Sequence, residues 1–194
     1  MIRLINVDAG YNGQPVLRNL SLTLPETGVV AILGPSGSGK TTLLRVLSSL
    51  LSPISGHIEG IAGLRVSMVF QEDRLLPWYT ALENVALPLR LPKKQALAHA
   101  MQWLAYMDLS AFAHEYPRAL SGGMQRRAAI ARACACPCGL LLLDEPFKGL
   151  DTALRLRVMT RVKTAAPLTV LVTHDREDAK LMGAGIVELA APAI

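Results

Sequence analysis

The octapeptide Gly34-Pro-Ser-Gly-Ser-Gly-Lys40-Thr41 constrains this chain more than any other stretch. It satisfies G-x-x-x-x-G-K-[ST] at every fixed position, between a continuous apolar run at 29–33 and a helical pattern that starts at Lys40. Such a loop is built to close around an anion. Backbone N–H groups surround phosphate oxygens, side chains at Gly37 and Gly39 would obstruct them, and the following helix turns its positive end to the same charge. Lys40 supplies a mobile cation for the β- and γ-phosphates of a nucleotide, and the Thr41 hydroxyl offers an oxygen to Mg²⁺. With that strand and helix on either side, the segment is not a flexible linker.

The second half of the same site is Leu140-Leu-Leu-Leu-Asp144-Glu145. Four apolar residues bury a strand, and a carboxylate at its end comes to lie beside the phosphate loop of a parallel sheet. Asp144 is thereby a candidate Mg²⁺ holder, and Glu145 is placed to polarise an attacking water. The remaining pattern agrees with such a sheet. Strands are expected at 2–7, 16–24, 29–33, 66–70, 139–143 and 168–173, helices at 40–51 and 152–165, and a short helix and strand near the end. Gly10-Tyr11-Asn12-Gly13 reads as a turn. Between about 75 and 135 helical spacing takes over, for example Leu97, Met101, Leu104 and Ala105 on one face, interrupted by prolines at 77, 88, 92 and 117. The expected fold is α/β: a single domain over 1–194, with a nucleotide-binding core at 1–74 and 136–194 and an inserted helical subdomain at 75–135.

Composition limits the alternatives. The chain has 194 residues, 51% hydrophobic and 18% charged, enough for one sizeable core and the opposite of a disordered balance. No stretch approaches about 18 uncharged apolar residues, the length of a membrane span, and the N-terminus lacks a signal-peptide core, so an intracellular protein is expected. A mean hydropathy of +0.33 is high for such a chain and points to a partner over part of its surface. The net charge of +5 is scattered, with no run beyond Lys93-Lys94 and Arg126-Arg127, so a nucleic-acid surface is not expected. Cys134, Cys136 and Cys138 alternate, which is poor zinc spacing; they read as small buried residues at a helix end. His57, His99 and His114 read as surface residues, and Trp78 and Trp103 as packing or interface residues.

Leu120-Ser121-Gly122-Gly123-Met124 narrows the choice among nucleotide binders. Ser121 is a helix N-cap, and the two glycines bare the first-turn N–H groups as a second anion site. One nucleotide does not need both, but two copies facing head to tail would each offer this helix end to the other's γ-phosphate. Here the chain resembles the ATP-binding cassette (ABC) ATPases over nearly its whole length. The resemblance implies the ABC ATPase fold, a P-loop NTPase core with an N-terminal antiparallel β subdomain and an inserted α-helical subdomain. It implies ATP and Mg²⁺ as ligands. Gly34, Pro35, Ser36, Gly37, Ser38, Gly39, Lys40, Thr41 and Thr42 would hold the phosphates, and Tyr11 would stack on adenine. Glu145, His174 and Gln71 would be catalytic, Gln71 by sensing Mg²⁺ and the attacking water, and Thr41, Gln71 and Asp144 would hold the metal. Ser121, Gly122 and Gly123 match the signature motif, and Asp151 lies in the D-loop match Gly149-Leu150-Asp151.

Some positions depart from the family pattern, and one of them, Lys148, would put a charge at the dimer seam. Lys148 stands where a small residue is usual, and Gln125-Arg126 where many importers have Arg-Gln. Gly183-Ala184-Gly185 follows the switch region in place of Ala-Asp-Arg. The segment Gln71-Glu-Asp-Arg-Leu-Leu-Pro-Trp78 resembles the corresponding loop of ATPases that drive nitrate, sulfonate and taurine importers in bacteria. That implies transmembrane permease subunits as partners, a periplasmic or extracellular solute-binding protein at one remove, and a place on the cytoplasmic face of the membrane. Export, force transmission, or a soluble cassette acting on nucleic acid are the alternatives. His174 lies about twenty residues before Ile194, so a C-terminal regulatory domain is not expected.

Overall fold

Asn12 and Gly13 take φ of 52° and 76°, the left-handed pair that a two-residue hairpin turn requires. They join β1 (Ile2–Tyr11) to β2 (Gln14–Leu24) in a computed structural model that describes residues 1–190. Gly10 is needed for a different reason, because a Cβ there would lie 1.9 Å from the Gln14 carbonyl oxygen. The strand thus runs through Tyr11, and the turn is shorter than the four-residue reading. The far edge of β1 pairs antiparallel with β4 (Ser55–Glu59), completing a three-stranded sheet in the order β2-β1-β4. Sequence periodicity gives no hint of β4, whose residues are mostly exposed; its pairing with β1 makes it a strand.

The second sheet is parallel throughout, in the order β5-β6-β7-β3-β8. Its strands are β3 (Gly28–Leu33), β5 (Val66–Val69), β6 (Leu140–Asp144), β7 (Leu168–Val172) and β8 (Gly185–Glu188). Ile32, Val172 and Asp144 are level across β3, β7 and β6, so the loop after β3 and the end of β6 open on the same rim. That rim, at the carboxyl ends of the strands, is where open parallel sheets take ligands. Helices α1 (Lys40–Leu47), α5 (Thr152–Val162) and α6 (Arg176–Leu181) return the chain between strands.

The helical insertion comprises α2 (Ala81–Ala86), α3 (Lys93–Tyr106) and α4 (Gly122–Ala135), with 3₁₀ turns at Ser110–Phe112 and Pro117–Ala119. The alternation of β6 explains how it attaches. Leu141 and Leu143 join a core with α2, α3, α4 and Val158 of α5. Leu140 and Leu142 point the other way, into a core with Leu43, Leu44 and Leu47 of α1 and with Leu4 and Leu17 of the antiparallel sheet. Among the described residues no helix is long and apolar enough to cross a membrane.

Several boundaries and faces differ from expectation. The first helix stops at Leu47, not at 51, because the Ser48 hydroxyl donates to the Arg45 carbonyl and Ser49 turns left-handed at φ 59°. The 152–165 helix ends at Val162, and the strand expected over 66–70 ends at Val69. On α3 the packed face is Ala96, Ala100 and Leu104; Leu97 and Met101 flank it, and Ala105 is exposed. Small alanines let α3 approach its neighbours, and an apolar-periodicity count underweights them. His99 is half-buried, its Nε2 3.1 Å from the Ala135 carbonyl oxygen, and is no surface histidine. Cys134 and Cys136 are buried and Cys138 half-buried, at and just beyond the end of α4. Burial raises the Cys134 thiol well above its usual range and pushes Cys138 up to about 11, so neither is a ready thiolate.

Candidate functional site

The phosphate loop runs from the end of β3 into α1, whose N-cap is Gly39 at φ 91°. A side chain at Gly39 would also collide with Leu17, since its Cβ would fall 2.5 Å from Leu17 Cδ2. Gly37 is different: a Cβ there would meet nothing among the described residues, and the demand for glycine comes from φ 81° alone. Lys40 Nζ donates to the carbonyls of Gly34 and Pro35, both at 2.8 Å, which folds the ammonium back over the loop. The Ser38 hydroxyl oxygen is buried within this loop without a hydrogen-bond partner among the described residues. An orphaned polar atom beside a ring of backbone donors suits a phosphate group that would satisfy it.

Thr41 Oγ1 donates to Asp144 Oδ2 at 2.9 Å across 103 residues of sequence. Burial raises the Asp144 carboxyl above the ordinary range, while the Thr41 bond pulls it the other way. Glu145, next along, takes φ 50°, and its N–H is held by the Val172 carbonyl at 2.9 Å. That kink turns the Glu145 carboxylate to His174, whose Nδ1 lies 2.9 Å from Oε2 and 3.0 Å from Oε1. A carboxylate only accepts, so Nδ1 carries the proton. Hydroxyl, carboxylate and amide oxygens from Thr41, Asp144 and Gln71 form the hard donor set that Mg²⁺ prefers.

These groups share a cleft of about 440 Å³ lined by Tyr11, Lys40, Thr41, Gln71, Asp144 and Glu145, among others. Ser36, Gly37, Gly39 and Thr42 also line it, while Gly34, Pro35 and His174 border a neighbouring cleft beside β8. Tyr11 is 40% exposed at the rim, and its hydroxyl accepts from Arg45 Nη1 at 2.8 Å. The signature glycines are elsewhere. Gly122 and Gly123 line a second cleft of about 350 Å³ with Gln71, Asp73, Arg126, Glu145, Lys148 and Gly149. Ser121 caps α4, its hydroxyl accepting from the Met124 N–H, and Asp151 caps α5, accepting from the Leu154 N–H. A single chain therefore does not bring Ser121, Gly122, Gly123 or Asp151 to the phosphate loop. Gln71 and Glu145 form the wall common to both clefts.

Three residues at the site escaped sequence reading. Arg45 tethers Tyr11. Arg155 bonds Asp178 Oδ1 and Asp175 Oδ2, each at 2.6 Å, bracing the turn that carries His174; it holds the Asp175 carboxyl below its ordinary range, whereas burial raises Asp178. Arg126 is buried and donates to Asp73 and to five backbone carbonyls. Its signal was present but faint, an arginine four residues before Ile130 and eight before Cys134, on the inward face of an alanine-rich helix.

Comparison with known proteins places this geometry in context. The family model described as ABC transporter matches residues 17–148. The taurine import ATP-binding protein TauB of Pseudomonas putida (strain KT2440) is 38% identical over 206 residues, covering 98% of this chain and 78% of the relative. The aliphatic sulfonates import ATP-binding protein SsuB 1 of Paracoccus denitrificans (strain Pd 1222) is 39% identical over 183 residues, covering 92% and 75%. Among solved structures, the dimeric post-hydrolysis state of the ATP-binding cassette MJ0796, bound to ADP and Pi, superposes with a TM-score of 0.87 at 31% identity. That alignment covers 100% of this chain and 97% of the other.

Proposed function

The chain belongs to the ABC transporter ATPases, and from that premise we propose that it powers import of taurine, a sulfonate or a related small anion such as nitrate into a bacterial cell. The ATPase itself rests on one observation: the phosphate loop, Gln71, Asp144 and Glu145 line one cleft, with His174 hydrogen-bonded to Glu145. The taurine- and sulfonate-import relatives support the class of cargo.

The chain's own groups divide the work. Backbone N–H groups of the 34–42 loop, Pro35 apart, hold the phosphates, and Lys40 leaves the Gly34 and Pro35 carbonyls to meet them. Tyr11 stacks on the adenine. Bound Mg²⁺ would neutralise charge on the β- and γ-phosphates, and Thr41, Asp144 and Gln71 are the residues that would hold it. Glu145 accepts a proton from the attacking water, and His174 holds that carboxylate in line and reaches the γ-phosphate. Ser121, Gly122 and Gly123 of a second copy close over the same nucleotide, with Asp151 at the seam. ATP binding closes the two copies, and hydrolysis reopens them.

Segment 75–135 serves as the subdomain that meets the permease. Trp78 is 67% exposed, and Pro77 is exposed beside it, an apolar edge suited to a membrane subunit's cytoplasmic helix. The chain then works on the cytoplasmic face, reaches the solute-binding protein only through the permease, and has no nucleic-acid partner. Glu145→Gln is expected to run as a dimer in Mg²⁺-ATP by light scattering, with turnover reduced about 100-fold or more. Lys40→Ala should lose nucleotide binding by calorimetry. Wild-type turnover in Glu145→Gln would remove Glu145 as the base. Failure of taurine, sulfonates and nitrate to stimulate the ATPase of the reconstituted transporter would overturn the cargo class.

A further inference from the structure

A guanidinium has five N–H donors in a rigid fork, and Arg126 uses the whole fork. Nε donates to the Pro146 carbonyl at 3.2 Å, and Nη2 to the carbonyls of Asp144 at 2.8 Å and Glu145 at 2.6 Å. Nη1 donates to the carbonyls of Phe70 at 2.6 Å and Gln71 at 3.2 Å, and to Asp73 Oδ1 at 3.1 Å. The side chain is only 8% exposed, and among the described residues Asp73 is its one carboxylate partner. A cation so far from water is tolerated only because the carbonyl dipoles offset its lost hydration.

The three segments it joins carry different chemistry. Residues 70–73 include Gln71, and 144–146 include Glu145 in its left-handed kink. Arg126 itself sits in the first turns of α4, just after Gly122 and Gly123. Arg126 stands where many importers have a glutamine, a longer charged fork in the place of a shorter neutral amide. Glutamine has two N–H donors on one nitrogen and cannot bond both segments through separate arms.

We propose that Arg126 is a positioning residue that locks the signature end of α4 to the Glu145 and Gln71 backbones of the same copy. The consequence depends on the head-to-tail dimer of the proposed function. In it, the signature end of one copy senses ATP held by its partner, whereas Glu145 of that copy acts on its own ATP. Arg126 therefore transmits occupancy of one nucleotide site to the base of the other. Hydrolysis is cooperative because Glu145 and Gln71 reach their working positions only when the α4 N-terminus is seated on the second nucleotide.

The test measures ATP affinity, kcat and the Hill coefficient in purified wild-type protein, Arg126→Gln, Arg126→Lys and Asp73→Ala, with folding checked by circular dichroism. Arg126→Lys keeps the charge but concentrates three donors at one point, so it cannot span both segments. Asp73→Ala approaches the fork from its half-exposed end, so it reports even where substitution at the buried arginine prevents folding. The phosphate loop is untouched in all three, and ATP affinity should stay within about 3-fold of wild type. The kcat should fall about 10- to 100-fold in both Arg126 variants, as expected for a base displaced by a fraction of an ångström. It should fall about 3-fold in Asp73→Ala. The Hill coefficient should drop from near 2, its ceiling for two sites, toward about 1. Wild-type kcat and cooperativity in the folded variants would overturn the proposal, as would a loss confined to ATP affinity. A wild-type protein without ATPase activity would instead overturn the proposed function.

Discussion

Glu145 carries the most demanding backbone of the site. A non-glycine residue at φ 50° is uncommon, and it persists here because the Val172 carbonyl fixes its N–H and Arg126 its carbonyl. The result is a carboxylate swung away from Asp144, which bonds Thr41, and onto His174. Adjacent acids in the sequence are thus given separate partners. At the rim, Tyr11 is kept in place from below by Arg45, whose guanidinium carbon lies 5.6 Å from the ring centroid. This arrangement separates two contributions of the tyrosine. Tyr11→Ala is expected to weaken ATP binding about 10-fold or more, the worth of one lost base–aromatic stack. Tyr11→Phe, which loses only the Arg45 bond, should bind within about 3-fold of wild type. Calorimetric titration with ATP reads both, and an equal loss in the two variants would assign the effect to the tether.

Among the elements, α2 shows how a six-residue helix survives. Thr80 and Glu83 form a capping box, and the backbone and side-chain bonds from Thr80 hold the Glu83 carboxyl below its ordinary range. Beneath it Asn84 is fully buried. Its Oδ1 accepts from the Leu76 N–H at 2.8 Å, and its Nδ2 faces the carbonyls of Leu76, Tyr79 and Thr80 at 3.0 to 3.1 Å. One amide therefore closes the loop that leads from Gln71 through Trp78 into the helical insertion. Asn84→Ala should lower unfolding free energy by about 2–3 kcal/mol, the cost of orphaning buried donors and acceptors. Exposed Lys94→Ala should stay within about 0.5 kcal/mol of wild type. Urea denaturation of the two variants checks the contrast. The same element level is where periodicity misled: α3 presents alanines to the core, and α1 yields to two serines well before Pro53.

For the molecule as a whole, β6 is the hinge between two packing environments, one with the helical insertion and one with α1 and the antiparallel sheet. Because the phosphate loop, β6 and the insertion meet at that strand, nucleotide binding should stabilise the entire fold. At 100 times the dissociation constant a ligand adds about 2.7 kcal/mol. For a chain of this size that raises Tm by roughly 5–10 °C. Thermal melts with Mg²⁺ and a non-hydrolysable ATP analogue should show the rise in wild type and none in Lys40→Ala; a rise in both would place the binding energy outside the phosphate loop. Part of the apolar excess noted in the sequence lies on the helical insertion, where Trp78, Leu87 and Leu91 stand 67%, 53% and 47% exposed, and part on the core, where Leu50, Ile54 and Ile186 stand 61%, 51% and 50% exposed.

The sequence by itself determined the apolar strands of the core, the phosphate loop and the acidic end of β6, because each is a local pattern whose physics is complete within a dozen residues. It likewise marked Ser121 as a cap and Cys134 and Cys136 as buried, for the same reason; Cys138 is half-buried. Only the tertiary structure decided that Thr41 meets Asp144, that Glu145 turns to His174, and that the signature glycines face a different cleft from the phosphate loop. Tertiary pairing also made a strand of Ser55–Glu59 and a hub of Arg126. An exposed polar strand has no periodic signature, and the helical spacing that turns Arg126 inward says nothing of what it bonds; each is set by partners far along the chain, and those partners exist only once the sheet has brought them together.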